Sequence, residues 1–318
     1  MTPEPACICC GTDSFAYLRT INGYRLLRCE ACGFVKVHPL PDIAQVEAHY
    51  NTTRTGEEQR RLRKDLVAGF TAQRNNPKRD FFHGVLSQVS GILGKPALDI
   101  LEIGSGFGSF VQFANSRGHH ATGTEVTKEY AAMSSESLLG RIVHVEGNRY
   151  TDHFGRGSFD LIYMEHVFEH VLDPEAILTQ IMQMLRPGGI LFLAVPNMDS
   201  LSSRLQGKYW PWGAPPDHLY FYNRSNLSLL LERHGFKVTD AFARDYYHRS
   251  IPQMFSLRRV LNVARKLCGL KPKPYRYAYP ESAGDHLLLT PYYLLYPFIR
   301  RSWSHAGGNE LIVMARSP

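Results

Sequence analysis

Two pairs of an acidic residue followed by a histidine carry the side chains best suited to moving a proton. Glu165 and His166 follow an apolar run of strand length, and Asp217 and His218 lie in a loop rich in proline and aromatic residues. Histidine changes charge near neutral pH, and a neighbouring carboxylate orients the imidazole or favours its protonated form. We therefore predict that both pairs are catalytic, with His218 as general base or substrate-positioning group and Asp217 as its acidic neighbour. The alternative for His218 is a structural pocket histidine.

The cysteines form a second group of residues that could do chemistry, because five of the six lie in the first 32 residues. Cys7 and Cys10 form one C-x-x-C pair and Cys29 and Cys32 form another, with about 18 residues between the pairs. Four thiolates hold Zn²⁺ in a closed tetrahedron, so such a site organises structure and does not activate water. Cys9 is either a bystander or a replacement for Cys7 or Cys10. We predict a structural zinc site, with reduced structural cysteines as the alternative.

Three alternate glycines, Gly104, Gly106 and Gly108, follow a short apolar run that contains Glu102. A strand, a glycine turn and a helix bring the backbone close to a nucleotide-like ligand, because side chains at the turn would block the approach. Glu125 lies about 20 residues after Gly104, at the predicted tip of the next strand, where a carboxylate accepts hydrogen bonds from ribose hydroxyls. These residues predict a nucleoside ligand. The alternatives are an ordinary tight turn and, for Glu125, a charge that favours a helix N-terminus.

These residues need a sheet that brings their loops together. Apolar runs of strand length alternate with helical patterns, and this alternation predicts an α/β fold with a doubly wound parallel sheet. In such a sheet ligands bind beyond the carboxyl ends of the strands, where both acid–histidine pairs would lie. A hairpin around Asn22-Gly23 is predicted between the cysteine pairs. The predicted core strands cover 98–103, 119–125, 141–146, 159–164, 190–195, 236–242 and 308–316.

Composition limits the class of protein without choosing a partner. The 318 residues are 44% hydrophobic and 20% charged, with a net charge of +7, which permits anionic partners but selects none of them. No apolar run reaches the ~18–20 residues needed to span a bilayer. The first ten residues lack a basic stretch followed by an apolar core, so we expect no secretory signal and a cytoplasmic protein.

The order of motifs between Leu98 and Phe236 resembles that of class I S-adenosylmethionine-dependent methyltransferases. The matching motifs are E-x-G-x-G-x-G from residue 102, FD at 159–160, EHV at 165–167, L-x-P-G-G at 185–189 and PN at 196–197. The resemblance implies a Rossmann-like fold and S-adenosylmethionine as cofactor. It also implies that Asn148, after the third core strand, contacts the adenine, with a plain turn asparagine as the alternative. The cofactor-binding residues implied are Glu102, Gly104, Gly106, Gly108, Glu125 and Asn148.

The chain is also similar to zinc-containing sugar C-methyltransferases. That resemblance rests on residues 215–223, which read PPDHLYFYN, and on the four-cysteine segment before the core. In that family the histidine is a base or a substrate contact, and this role carries onto His218 with Asp217 beside it. Those enzymes continue into a further C-terminal domain that finds no match in this sequence. The expected acceptor is therefore a small molecule, a sugar or a lipid-linked glycan.

Two other functions compete with methyl transfer to a small acceptor. An RNA base methyltransferase is one, since some of these enzymes place a zinc module before the same core and the charge is basic. The zinc segment lacks a basic–aromatic signature, so a nucleic-acid partner is disfavoured. A non-catalytic interaction protein that keeps the fold is the other, and the intact glycine turn and Glu125 disfavour it.

The predicted organisation has three parts. Residues 1–41 form a zinc-binding module, 42–95 a helical linker or lid, and 96–318 the methyltransferase domain, with an insertion at 244–307 before the last strand. The stretch 286–303 is apolar but interrupted by prolines and too short to span a bilayer. Three roles remain open for this stretch: a cap on the active site, a contact with another subunit, or peripheral contact with a membrane near the basic residues.

Overall fold

The protein was described with a computed structural model. The described residues are 6–46, 48, 77–128, 131–132, 141–145, 149–207, 210, 212–213, 215–244 and 308–318. Asn148, nearly all of the 244–307 insertion and the stretch 286–303 lie outside them, and the predicted domain boundaries stay predictions.

Eleven strands in two sheets and five helices make up the described part of the chain. The strands are β1 (Phe15–Ile21), β2 (Tyr24–Cys29), β3 (Val35–His38), β4 (Asp99–Ile103), β5 (His120–Glu125), β6 (Arg141–His144), β7 (Phe159–Glu165), β8 (Leu185–Pro196), β9 (Tyr220–Phe221), β10 (Lys237–Arg244) and β11 (Glu310–Arg316). The helices are α1 (Pro77–Leu93), α2 (Ser109–Ser116), α3 (Pro174–Met184), α4 (Leu201–Gln206) and α5 (Arg224–Arg233). Within this described part, no helix combines the length and the apolar character needed to cross a membrane.

The larger sheet has the order β10-β11-β8-β7-β4-β5-β6. Strands β4 to β8 pair in parallel, which agrees with the α/β prediction. The sheet is mixed at one edge, because β11 runs antiparallel to both β8 and β10. Residues 310–315 are all buried. A strand buried on both faces reads as a continuous apolar run, which carries no information about its direction.

Pro187, Gly188 and Gly189 of the L-x-P-G-G motif lie inside β8. The pairing of β7 with β8 shifts register between Phe159 and Leu161, and Gly188 has a φ of 75°. An extra residue in one strand bends it and increases its twist. The glycines therefore form an irregularity within a longer strand and do not end it.

Aromatic rings hold the first two helices against one face of the larger sheet. Tyr163 of β7 stacks between Phe110 of α2, at 4.0 Å between ring centroids, and Phe192 of β8, at 4.9 Å. Phe82 of α1 meets Phe110 edge-on at 5.0 Å. These rings are buried, so the carboxyl ends of β4, β7 and β8 rest on a fixed base.

The N-terminal hairpin forms at the predicted turn. Asn22 and Gly23 have φ values of 51° and 83°, and Ile21 pairs with Tyr24 across a two-residue loop. Positive φ at both central residues suits the right-handed twist of the strands. This local prediction is confirmed.

The smaller sheet has the order β1-β2-β3-β9, so its last strand comes from the segment after β8. Val35 pairs with Phe221 and Lys36 with Tyr220. The ring of Phe34 lies 5.8 Å from that of Tyr220. The rings of Phe34, Tyr220 and Phe221 are all buried. The cysteine segment therefore shares a sheet and a core with the loop that carries Asp217 and His218.

Candidate active site

The glycine turn joins β4 to α2 in a conformation that requires glycine. Gly104, Gly106 and Gly108 have φ values of 71°, 53° and 67°. A Cβ atom on Gly104 would lie 2.4 Å from Cγ2 of Val167, closer than real Cβ contacts come. The turn therefore packs directly against the segment that follows β7.

Glu125, at the end of β5, holds this turn. Its Oε2 accepts a hydrogen bond from the N–H of Gly106 at 3.0 Å. Its Oε1 accepts from the N–H groups of Val126 at 3.0 Å and Thr127 at 3.1 Å. The carboxylate thus lies at the carboxyl edge of the sheet, where the sequence predicted it, but it also bonds the glycine turn, which the sequence did not indicate.

Glu102, the second-last residue of β4, carries a side-chain oxygen that no hydrogen-bond donor reaches. Its side chain is buried, and its Oε2 has no hydrogen-bond partner. Burial raises the pKa of Glu102 well above its usual value, and the charge of Lys78 opposes that shift. S-adenosylmethionine carries an ammonium group and a sulfonium, and an orphaned buried carboxylate beside a glycine turn fits such a cationic ligand.

Glu165 ends β7 within reach of two cationic side chains. The hydroxyl of Tyr163 donates to its Oε2 at 3.0 Å, and Nζ of Lys78 lies 3.6 Å from that oxygen. Nη2 of Arg244 lies 3.9 Å from its Oε1. Burial opposes ionisation, but Lys78, His166 and Arg244 hold the pKa of Glu165 below its usual value. Glu165 is therefore a carboxylate in an ion-pair network.

His166 lies between two buried carboxylates. Its Nε2 is 2.7 Å from Oε1 of Glu310 on β11, and its Nδ1 is 3.4 Å from Oε1 of Glu169. Burial lowers the pKa of His166, but Glu169 and Glu310 outweigh that effect and raise it to about 10. The ring also lies 4.8 Å from that of Trp212. An imidazolium held in this way is a charge-bearing group and a poor proton acceptor at neutral pH.

Glu169 is the centre of the site, although it was not among the residues predicted to be catalytic. Its side chain is fully buried in a 3₁₀ turn, Phe168–His170. Its Oε1 lies 3.7 Å from Nε2 of His170 and 3.9 Å from Nε2 of His218. Burial raises the pKa of Glu169, but the three histidines outweigh it and lower the pKa to about 2. The sequence held one signal for this cluster, the repetition of Glu-His at 165–166 and 169–170.

Backbone carbonyls orient the other two histidines. Nδ1 of His218 lies 2.5 Å from the carbonyl oxygen of Trp212, and Nδ1 of His170 is hydrogen-bonded to the carbonyl oxygen of Asp217. Burial lowers the pKa of His218, while the charges of Glu169 and Asp217 oppose that shift. Asp217 is thus next to His218, as predicted, and Glu169 is a second carboxylate beside the same imidazole.

The four cysteines of the two C-x-x-C pairs converge beside the smaller sheet, where Cys29 ends β2 and Cys32 precedes β3. Sγ of Cys7 lies 3.7 Å from Sγ of Cys32, and Sγ of Cys10 lies 3.5 Å from Sγ of Cys29. Sulfurs bound to one Zn²⁺ at about 2.3 Å lie about 3.8 Å apart in a tetrahedron. Burial raises the pKa of the fifth thiol, Cys9, which disfavours a thiolate there. The chemistry and spacing of the four sulfurs fit a metal ion.

Comparison with known proteins gives one family match and several relatives. A family model described as a methyltransferase domain matches residues 56–241. A ubiquinone biosynthesis O-methyltransferase of Aeromonas salmonicida is 28% identical over 167 residues, which is 49% of this chain and 68% of the relative. The C-methyltransferase NovU of Streptomyces niveus is 24% identical over 157 residues, 48% of this chain and 36% of the relative. A crystal structure of a methyltransferase from Archaeoglobus fulgidus has 16% identity and a TM-score of 0.46, and covers 75% of this chain and 94% of its own.

Proposed function

Because this chain belongs to the methyltransferase-domain family, we propose that it methylates an oxygen or carbon atom of a small-molecule or glycan acceptor. The chain is an S-adenosylmethionine-dependent methyltransferase, and the acceptor class is the part that is proposed. Its relatives include enzymes named as O-methyltransferase and as C-methyltransferase. Both kinds of acceptor must lose a proton, so both need a group that accepts it.

One observation carries the proposal: the glycine turn packs directly against the segment that carries the histidine cluster. Gly104 packs against Val167, and Val167 lies between His166 and the 3₁₀ turn that carries Glu169. Bound S-adenosylmethionine supplies a methyl group on a positive sulfur, which an acceptor attacks in line while the C–S electron pair stays on sulfur. We assign cofactor binding to the glycine turn with Glu102, Glu125 and Asn148.

The residues on the acceptor side would position the nucleophile and accept the proton that it loses. We assign this role to His218, with Asp217 and Glu169 as the carboxylates beside it. Glu165 and His166 would contribute fixed charge close to the cofactor, since the first is held ionised and the second protonated. Trp212, next to both histidines, would form an apolar wall that excludes water.

An isotope-transfer assay tests the proposed function. The full-length protein is incubated with S-adenosylmethionine carrying a labelled methyl group and with cell extract, before and after ribonuclease treatment. We expect mass spectrometry to find the label in a small-molecule or glycan fraction that ribonuclease does not alter. Label in RNA would contradict the acceptor class and favour the RNA methyltransferase. Calorimetry that finds binding of NAD but not of S-adenosylmethionine would contradict the cofactor assignment.

A second proposal concerns the four-cysteine cluster. We propose that Cys7, Cys10, Cys29 and Cys32 bind a structural Zn²⁺, on the support of the sulfur distances and of the glycine after each second cysteine. Gly11 and Gly33 have φ values of 79° and 73°, so both knuckles turn through the left-handed region. Four thiolates leave no open coordination position, which restricts this ion to structure.

A further inference from the structure

Among the residues that the structure describes, one other group besides the four cysteines brings metal-ligating atoms together. It consists of Glu169, His170 and His218, whose ligand atoms lie within 4.8 Å of one another. We propose that these three residues bind a divalent metal ion of the Zn²⁺ class on the acceptor side of the active site. Imidazole nitrogen and carboxylate oxygen are suitable ligands for such an ion, and two histidines with one carboxylate are a ligand set used by zinc enzymes.

The first argument is the tautomer of each histidine. A backbone carbonyl can only accept a hydrogen bond, so the Nδ1 atoms that bond the carbonyls of Trp212 and Asp217 carry the protons. In the neutral rings of His218 and His170, Nε2 then carries a lone pair. Metal-bound histidines are oriented in the same way, with one ring nitrogen donating to a carbonyl and the other binding the ion.

The second argument is what these lone pairs face. Both Nε2 atoms lie within 3.9 Å of Oε1 of Glu169, which is itself an acceptor. The side chain of Glu169 is fully buried, and neither of its oxygens has a hydrogen-bond partner. The imidazolium of His166, 3.4 Å from the same oxygen, offsets part of this buried negative charge, and a metal ion between Glu169 and the two Nε2 atoms would satisfy the acceptors that remain.

The third argument is distance. The separations of 3.7 Å and 3.9 Å exceed the range of an N–H···O hydrogen bond, which ends at about 3.2 Å. Two ligands that bind one Zn²⁺ at about 2.0–2.2 Å lie about 3.3–4 Å apart. The spacing of Glu169 with His170 and His218 therefore fits a shared ion better than direct hydrogen bonds.

The catalytic use of the ion rests on the proposed function. Three protein ligands leave a coordination position open, and an acceptor oxygen that occupies it loses its proton more readily. The O–H proton passes to solvent, the oxygen lone pair forms the bond to the methyl carbon, and the C–S pair stays on sulfur. His218, bound through Nε2, then acts as a ligand and positions the acceptor through the ion.

Metal binding is tested without any acceptor, so the test is independent of methyl transfer. The full-length protein is dialysed against Zn²⁺, and bound metal is measured by elemental mass spectrometry as the free concentration rises. We expect about two ions per chain, one of them released at higher free Zn²⁺ than the other. Co²⁺ in place of Zn²⁺ identifies the two sites, because thiolate ligands give a charge-transfer absorption that imidazole and carboxylate do not.

The variant Glu169→Gln keeps the size of the side chain and removes its charge. We expect the weaker ion to lose at least about 10–100-fold in affinity, while the thiolate absorption and the affinity for S-adenosylmethionine stay unchanged. The matched control is Glu175→Gln, since Glu175 is half exposed in the first turn of α3, a few residues away. The control should bind both ions like the wild type.

Two results would overturn the proposal. One is a wild-type protein that binds only the thiolate-bound ion at every free Zn²⁺ concentration. The other is a second ion whose affinity is the same in Glu169→Gln and in His218→Gln, which would assign it to a different site. If Glu169→Gln loses its folded structure, His218→Gln decides alone, because the His218 side chain is 13% exposed and less central to the core. A chain that binds the second ion but transfers no methyl group would contradict the proposed function and leave the metal site standing.

Discussion

At the residue scale, four glutamates of the site differ in their hydrogen bonds, burial and ion pairs, and these differences suit them to different roles. Glu125 accepts three backbone N–H bonds and holds the glycine turn. Glu102 is buried with an orphaned oxygen beside that turn, and Glu165 is paired with cations. Glu169 is buried against three imidazoles. The first two suit a cofactor with sugar hydroxyls and an ammonium group, and the last suits a cation.

Glu125 is expected to contribute to cofactor affinity in two ways, through the ligand and through the turn. Glu125→Ala should weaken S-adenosylmethionine binding by about 1.5–3 kcal/mol, because charge-assisted hydrogen bonds are lost. Glu125→Gln keeps an oxygen for the N–H of Gly106 and should lose less. Calorimetry measures both affinities, and Glu175→Ala, outside the site, serves as control. An unchanged affinity in Glu125→Ala would remove this residue from the cofactor site.

His218 is expected to affect turnover far more than cofactor binding. His218→Ala should reduce the rate by about 10²–10⁴-fold and leave S-adenosylmethionine affinity and the melting temperature nearly unchanged. The control is His153→Ala, because His153 is an exposed histidine that takes no part in the cluster. A joint loss of thermal stability and cofactor binding would instead identify His218 as a structural pocket residue. A wild-type rate would exclude it from the mechanism.

At the scale of elements, the site is built from connections that leave the carboxyl ends of parallel strands. The glycine turn follows β4, Glu125 ends β5, and the 3₁₀ turn with Glu169 follows β7. The loop with His218 leads into β9, which pairs with β3 of the cysteine segment. The position of His218 therefore depends on a small sheet whose strands are flanked by the segments that carry the four cysteines.

Removal of the thiolate ligands is expected to affect both sheets. The double variant Cys29→Ser/Cys32→Ser should lose the tightly bound Zn²⁺ and lower the melting temperature, because Cys29 belongs to the same buried cluster as Tyr220 and Tyr222. Elemental analysis and thermal unfolding monitored together give the measurement. Cys9→Ala is the control and should keep the ion. Full zinc content in the double variant would contradict the ligand set.

At the scale of the whole molecule, the described part of the N-terminal segment is not a separate body appended to the core. Asn226 at the start of α5 donates to the carbonyl of Cys32, and Arg233 at its end donates to that of Ile8, both at 3.4 Å. Phe34 is buried between Tyr220 and Tyr222. These contacts couple the smaller sheet to the methyltransferase sheet through α5 and β9.

Phe34 tests this coupling. Phe34→Ala should lower the free energy of unfolding by about 3–5 kcal/mol, the usual cost of removing a buried aromatic ring. The loss should shift a single transition, with tryptophan fluorescence and far-UV circular dichroism changing together. The control is Ile92→Ala, since Ile92 is 41% exposed and should change stability by no more than about 0.5 kcal/mol. Two separated transitions would show that the segments unfold independently.

Local chemistry explains what could be predicted from the sequence alone. The hairpin at Asn22-Gly23 and the glycine turn at 104–108 depend on backbone angles that few residues adopt, so a short stretch identifies them. Asp173 accepts from the N–H of Ala176 and caps α3, and an Asp-Pro pair is a local signal for such a helix start. The alternation of strands and helices determined the α/β class for the same reason.

The tertiary structure decided what depends on residues far apart in the chain. It paired β9 with β3, set β11 antiparallel, and brought Glu169 next to His218 and His166 next to Glu310, across 49 and 144 positions of sequence. Apolar runs specify that a segment is buried but not which neighbour it meets, and a Glu-His pair does not indicate what its side chains face. The sequence therefore predicted a cofactor turn and candidate bases, while the cluster around Glu169 emerged only when the fold brought two separate connections together at one edge of the sheet.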